Sequence, residues 1–183
     1  FIVTERSLQF RFSLMNILLI GSGGREHAIA LKISQSNNCK QLFIAPGNAG
    51  TSSCGINVSL SIIDFPAIKE FVIINKIELV IVGPEEPLVK GIVDFFQKDI
   101  QLKDVLILGP STQGAMLEGS KDFAKAFMQK HNIPTAAYKT FGKNEIDLAK
   151  NFLQTMRTPY VIKADGLAAG KGVVIPETIE EAS

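Results

Sequence analysis

The sequence predicts a doubly wound α/β domain followed by the start of a second, α+β unit. Three observations carry this. From Met15 onward, short unbroken apolar runs alternate with amphipathic stretches, and unbroken apolar strands are what a parallel sheet covered on both faces requires. Each of the first four runs leads into a loop rich in glycine or proline, the residues of βα turns. After about residue 112 the alternation changes to helix, helix, strand, helix, and then strand, glycine-rich loop, strand.

The elements follow in order. Residues 1–14 hold Glu5, Arg6 and Arg11 among apolar residues. They lack the apolar core and cleavage site of a signal peptide, and are expected to be a disordered upstream extension. Strands are expected at 17–20, 42–45, 79–82 and 105–108, with helices at 25–36, 64–75 and 88–98. Asp64 before Phe65-Pro66 supplies a cap and an early proline for the second helix. A helical piece at 113–118 is expected to end at Gly119 as a left-handed terminator. Ser120 caps a helix over 121–131, whose Phe123 and Phe127 share a face. Ile133-Pro134 stops it. A strand at 137–141, a helix at 144–156 and the strand–loop–strand of 161–175 complete the second unit. Thr178 is placed to cap a last helix. The domains expected are 15–120, an amino-terminal α/β domain, and 121–183, the start of a second, α+β domain.

Composition narrows the function. The chain has 183 residues, 46% hydrophobic and 20% charged, with net charge +1. That is globular, and no global field attracts nucleic acid or an anionic membrane. Trp is absent, which removes the best stacking platform for single-stranded bases. Cys39 and Cys54 make neither a disulfide framework nor a zinc spacing, and read as thiols of a reducing cytoplasm. No apolar run approaches the roughly 20 residues that span a bilayer.

The loops after the strands hold the chemistry, because ligands of a doubly wound sheet bind at its carboxyl edge. The loop 21–24, Gly-Ser-Gly-Gly, precedes Arg25 and Glu26. A dinucleotide fingerprint wants glycine where Glu26 stands and a carboxylate after the second strand, where Ala45-Pro46 stands. NAD is therefore disfavoured, while the N–H groups at the helix start, with Arg25 beside them, suit a phosphomonoester. A tight turn with no ligand is the competing reading. The loop 46–51, Pro-Gly-Asn-Ala-Gly-Thr, is by itself a turn. In 83–87, Glu85 could hold sugar hydroxyls or an amine. His27 and His131 read as helix-face residues, Lys125 and Lys130 as a solvated face. No nucleophile-elbow pattern surrounds Ser22.

The segment 161–173, Val-Ile-Lys-Ala-Asp-Gly-Leu-Ala-Ala-Gly-Lys-Gly-Val, is the most informative. Lys163 ends an apolar run, where a lysine is partly buried unless paired, and a buried cation invites a phosphate. The glycines let backbone N–H groups approach an anion. Lys171 is followed by Gly172, so this is not a Walker A loop. It is a phosphate-covering loop between strands, suited to ATP.

Taken together, Gly-Ser-Gly-Gly-Arg-Glu-His-Ala (21–28), Pro-Gly-Asn-Ala-Gly-Thr (46–51), Val-Gly-Pro-Glu (82–85), Leu-Glu-Gly-Ser-Lys (117–121) and the 161–173 segment resemble the amino-terminal part of the phosphoribosylamine–glycine ligases, or glycinamide ribonucleotide synthetases, of the ATP-grasp superfamily. The resemblance covers 15–183. It implies a Rossmann-like pre-ATP-grasp domain followed by the start of an ATP-grasp domain. It implies ATP-dependent ligation of glycine to 5-phosphoribosylamine through glycyl phosphate, in cytoplasmic purine biosynthesis. Lys121 and Lys163 match nucleotide-contacting lysines, and Gly166, Gly170, Lys171 and Gly172 match the mobile loop over the phosphates. Gly23, Gly24, Arg25, Pro46, Gly47, Asn48, Gly50 and Glu85 fall where the amino-terminal domain meets phosphoribosylamine. Mg2+ or Mn2+ is implied, with its ligands and the main catalytic residues beyond Ser183. The expected partners are these small molecules and the remainder of the chain. The fragment alone is expected to be inactive. Two alternatives stay open: another ATP-grasp carboxylate–amine ligase, and a non-catalytic module that binds a nucleotide or phosphosugar.

Overall fold

The computed structural model describes residues 14–168 and 170–182. The extension expected over 1–14 lies outside the described residues except for Leu14. The chain divides between Thr112 and Gln113 into two compact units.

The first unit is built on a five-stranded parallel sheet in the order β3-β2-β1-β4-β5. Its strands are β1 (Met15–Gly21), β2 (Cys39–Pro46), β3 (Ile56–Asn57), β4 (Leu79–Val82) and β5 (Leu106–Leu108). Side chains alternate between the faces of a strand, and β1 sorts accordingly. Leu18 and Ile20 join one core with Phe43, Val80 and Val82 of the neighbouring strands. Ile17 and Leu19 join another with Leu42 and Ile44. The helices α1 (Gly24–Ser34), α2 (Phe65–Ile74), α3 (Glu85–Val89) and α4 (Ile92–Lys98) cover these faces. Ala30 of α1 packs in the second core; Ile68 and Val72 of α2, with Ile92, Val93 and Phe96 of α4, fill the first. This is the doubly wound arrangement expected. Leu18, Leu19 and Ile20 have no exposed surface, and burying each stabilises the fold by roughly 1.5–3 kcal/mol.

Asp64 caps α2 as expected, accepting the Ala67 N–H at 3.1 Å. Two details differ from the sequence reading. The helix expected over 88–98 is two helices, α3 and α4, broken at Gly91, whose φ is +91°. Leu88, Ile92, Val93 and Phe96 all face one core, so the apolar periodicity runs through the break and conceals it. The edge strand β3 was not foreseen. It is two residues long and exists only by pairing with Phe43 and Ile44 of β2.

The second unit holds α5 (Thr112–Gly119) from its second residue onward, α6 (Lys121–Lys130), α7 (Ile146–Leu153), the antiparallel pair β6 (Ile162–Lys163) and β7 (Val173–Val174), and α8 (Ile179–Ala182). Ser120 caps α6, accepting the Phe123 N–H at 3.1 Å. Thr178 caps α8 through the Glu181 N–H at 3.2 Å. Gly119 does not terminate α5 in a left-handed conformation. It is the last helical residue, and extended Ser120 makes the break. No strand forms at 137–141, because a β-rich segment without a ladder partner stays irregular. Side chains hold it instead: Lys125 Nζ donates to Thr135 Oγ1 and to the Ala136 carbonyl at 3.2 Å and lies over the Tyr138 ring. Lys125 is thus a fastener rather than part of a solvated face; Lys130 is exposed as expected.

Candidate functional site

In the first unit, the strands deliver their loops to one edge of the sheet. The Gly47 N–H donates to the Gly21 carbonyl at 3.1 Å and the Gly83 N–H to the Ile20 carbonyl at 3.0 Å. The 21–24 loop therefore lies between the 46–51 and 83–85 loops. This is the switch point of the sheet, with β2 on one side of β1 and β4 on the other, and such crevices receive ligands.

Asn48 organises the second loop. Its Oδ1 accepts from the Gly50 and Thr51 N–H groups at 2.7 and 3.0 Å, and its Nδ2 donates to the Ser22 carbonyl at 2.7 Å. Thr51, fully buried, donates to Asn57 Oδ1 at 2.7 Å. Residues 46–51 are thus a hydrogen-bonded platform rather than a bare turn. Pro46 closes β2 and starts it. His27, on α1, packs its ring where a Cβ at Gly50 would sit.

Arg25 makes three contacts within this unit. Its Nη2 donates to the Gly83 carbonyl at 2.7 Å and to Glu85 Oε1 at 3.1 Å, and its Nε to Glu26 Oε1 at 3.2 Å. Hydrogen bonds donated to Glu26 and then to Glu85 hold the guanidinium above its ordinary pKa. Gly23 is the N-cap of α1, and open space lies where a Cβ would be at Gly24.

Sequence reasoning missed Glu26, which entered it only as a departure from a dinucleotide fingerprint. The residue is 4% exposed. Its Oε2 accepts the Gly23 N–H at 2.7 Å. The available signal was its place three residues after the N-cap, where a glutamate reaches back to the cap N–H. The side chain lies across β1 and β4 so closely that a Cβ at Gly21 or Gly83 would come within 2.3 or 2.5 Å of its Cγ. Gly83→Ala is therefore expected to destabilise the unit by about 1–3 kcal/mol, the usual cost of overpacking. Glu26→Gly is itself destabilising, because it strips the acceptor from the Gly23 N–H, but in that background Gly83→Ala should cost little further in denaturant unfolding; an equal cost in both backgrounds would show that the clash lies elsewhere.

The second unit gathers a separate cluster. Asp165, in the glycine-rich segment, accepts the Lys121 N–H at 2.7 Å and the Asp122 N–H at 3.3 Å, and the Ser120 hydroxyl at 3.1 Å. It seats on the N-terminus of α6, where the helix dipole favours a carboxylate. Lys121 Nζ donates to the Gly166 carbonyl at 2.7 Å. The loop after β6 is thus stapled to the start of α6 by backbone and side chain. Burial raises the Asp165 pKa, but the donors at Asp122, Lys121, Ser120 and Gly166 outweigh it, so the carboxyl titrates below its ordinary value. The sequence reading gave Asp165 no role.

Lys163 is exposed, not partly buried as its place after an apolar run suggested. Its strand is one of a two-stranded pair, and Ile162, Val173 and Val174 are exposed as well, so no opposing layer covers the lysine. Gly166 and Gly170 have φ of +89° and +78°, with open space around each. Lys171 is exposed, and its N–H donates to the Ala168 carbonyl at 2.8 Å. The Gly172 carbonyl accepts from Ala164 N–H at 2.8 Å, closing the base of the loop. No group of three or more His, Cys, Asp or Glu side chains among the described residues could hold a metal ion. Among them, too, no helix is long and apolar enough to cross a membrane.

A switch-point α/β domain followed by a glycine-loop hairpin anchored on a capped helix defines the class: an ATP-grasp ligase fold, entered from its amino-terminal domain. The comparisons with known proteins make this specific. Residues 15–118 match the phosphoribosylglycinamide synthetase N domain and residues 119–183 its ATP-grasp (A) domain, so the chain belongs to the phosphoribosylglycinamide synthetase family. It is 51% identical over 170 residues to the phosphoribosylamine–glycine ligase of Haemophilus influenzae, covering 92% of this chain and 38% of that protein. It also resembles the crystal structure of phosphoribosylamine–glycine ligase from Thermotoga maritima, with TM-score 0.67, 32% identity, and coverage of 91% of this chain and 37% of the other. Carboxyaminoimidazole ribonucleotide synthase from Aspergillus clavatus complexed with ATP shares the fold at TM-score 0.68 and 18% identity, over 92% and 42% of the two chains. The chain thus spans less than two-fifths of the length of the curated relatives it matches.

Proposed function

We propose that the chain is the amino-terminal part of an ATP-dependent ligase that joins glycine to 5-phosphoribosylamine in de novo purine synthesis in the cytoplasm. The observation that carries this reading is the match of both units, in order, to the two amino-terminal domains of one family. A glycine carboxylate oxygen attacks the γ-phosphorus of ATP and ADP leaves. The amine of phosphoribosylamine then attacks the carbonyl carbon of glycyl phosphate. Phosphate departs, the nitrogen loses a proton, and glycinamide ribonucleotide is formed. Such chemistry needs positioning and charge neutralisation more than covalent help from the protein.

Residues 15–120 supply the phosphoribosylamine site at the carboxyl edge of the sheet. Gly24, with open space beside it, leaves the start of α1 accessible there; Gly23, Pro46, Gly47, Asn48 and Gly50 form the internally hydrogen-bonded floor, and Arg25 and Glu85 give a paired cation and carboxylate. Residues 121–183 supply the first lobe of the ATP site. Lys163 and Lys171, both exposed, reach the phosphates, and Gly166, Gly170 and Gly172 give the loop its close approach. Lys121 holds that loop through Gly166 and contacts the nucleotide when the loop closes. A Mg2+ or Mn2+ ion would neutralise the phosphate charge during transfer, with its ligands supplied by the remainder of the protein.

The full-length protein, given ATP, glycine and phosphoribosylamine, is expected to form ADP and glycinamide ribonucleotide in equal amounts. Residues 1–183 alone are expected to form neither. Turnover with bicarbonate in place of glycine and phosphoribosylamine would instead favour a carboxylase-like member of the fold, and nucleotide binding without turnover a non-catalytic module.

A further inference from the structure

At the switch point of a dinucleotide-binding sheet, glycine at the sixth fingerprint position lets the helix pack closely, and a pyrophosphate sits on the helix N-terminus. Here that position is Glu26, and its buried carboxylate already occupies an N–H of the helix start. One oxygen takes the Gly23 N–H at 2.7 Å. The other pairs with Arg25 Nε at 3.2 Å and lies 2.5 Å from where a Gly83 Cβ would be. The carboxylate thus packs against Gly83 and reaches the loop after β4 through Arg25, which bonds both to Glu26 and to that loop. An ordinary capping-box glutamate would satisfy only the cap N–H. Glu26 in addition holds the guanidinium of its neighbour, whose Nη2 is spent on the Gly83 carbonyl and Glu85. Arg25 remains 59% exposed at the side chain. With Nε and Nη2 engaged, Nη1 is the edge that a ligand can reach.

We propose that Glu26 is a positioning residue for phosphoribosylamine: a resident anion that locks the two loops and aims Arg25 Nη1 at the ribose phosphate. This rests on the reading of the first unit as the phosphoribosylamine site.

The test uses the full-length protein and the variants Glu26→Gln, Arg25→Met and the double variant. Glutamine keeps the size and an acceptor for Gly23 but loses the charge that holds Arg25. Glu26→Gln is expected to raise KM for phosphoribosylamine about tenfold, with KM for ATP and glycine within twofold of wild type. Arg25→Met should do the same, and the double variant should be no worse than either, because residues acting as one unit are not additive. An unchanged KM for phosphoribosylamine in Glu26→Gln, equal rises in all three KM values, or additive effects in the double variant would overturn the inference. A wild-type protein inactive with phosphoribosylamine would instead overturn the underlying reading, and the inference with it. Should Glu26→Gln fail to fold, hydrogen exchange at Nε of wild-type Arg25 decides. Slower exchange than at exposed Arg157 supports the clamp, and equal exchange overturns it.

Discussion

Lys163→Ala in the full-length protein is expected to lower kcat/KM for ATP about a hundredfold or more, the usual loss when one preorganised charge facing a transferring phosphoryl group is removed. The structure sharpens this expectation. Lys163 ends β6 in register with Val173 of β7, and the pair is held by its backbone. The side chain is exposed, so its removal leaves no cavity and no orphaned partner. The melting temperature should therefore stay within a degree or two of wild type while activity falls. Lys125→Ala is the control. That side chain fastens Thr135, Ala136 and Tyr138, so its loss should cost stability with only a mild effect on turnover. Steady-state kinetics alongside thermal unfolding separate the two, and similar mild effects from both would remove Lys163 from the phosphate site.

Asp165→Ala should act on the same site from behind. Its carboxylate joins the glycine-rich loop to the first turn of α6 through Ser120, Lys121 and Asp122. Without it, α6 loses a favourable anion at its N-terminus, and the loop loses the anchor that brings Gly166 to Lys121 Nζ. KM for ATP is expected to rise about tenfold, in line with the loss of a hydrogen bond to a charged group. KM for phosphoribosylamine should be unchanged. Asp165→Asn, which keeps one acceptor, should fall between. The pH dependence follows from the sign of the shift. The folded pKa is depressed, so the contact is fully present above the unfolded value of about 3.9. It is lost as pH falls below that value and through the lower folded one. Wild type should lose order at the start of α6 across that acid window in an NMR titration, and Asp165→Asn should show no such step. An acid step of equal size in the asparagine variant would assign it to another carboxylate.

The parallel sheet was legible because its strands are apolar on both faces, and an unbroken run such as 17–20 has few other solutions in a soluble fold. The loops were legible as a set because the topology of such a sheet sends every strand end to one edge. What stayed hidden had specific causes. The break at Gly91 lay within a continuous apolar stripe. The strand β3 depended on a partner already in place. The segment 137–141 has β-rich composition but no ladder to join, since β pairing is a property of two segments.

Of the candidate site, the residue types and their order along the chain were determined by the sequence alone: glycines in the loops that follow the strands, lysines at the ends of the glycine-rich loop after β6, and Arg25 beside the first turn. Only the tertiary structure decided what these groups do to one another. It turned Glu26 from a mismatch in a motif into the pin between two loops, turned Asp165 from a loop residue into the anchor on α6, and brought Lys163 out of the interior into solvent. The reason is that a hydrogen bond or a burial depends on distance through space. Gly83 is 57 residues from Glu26 and Asp165 is 44 from Lys121 along the chain, and no local pattern records that folding brings them into contact.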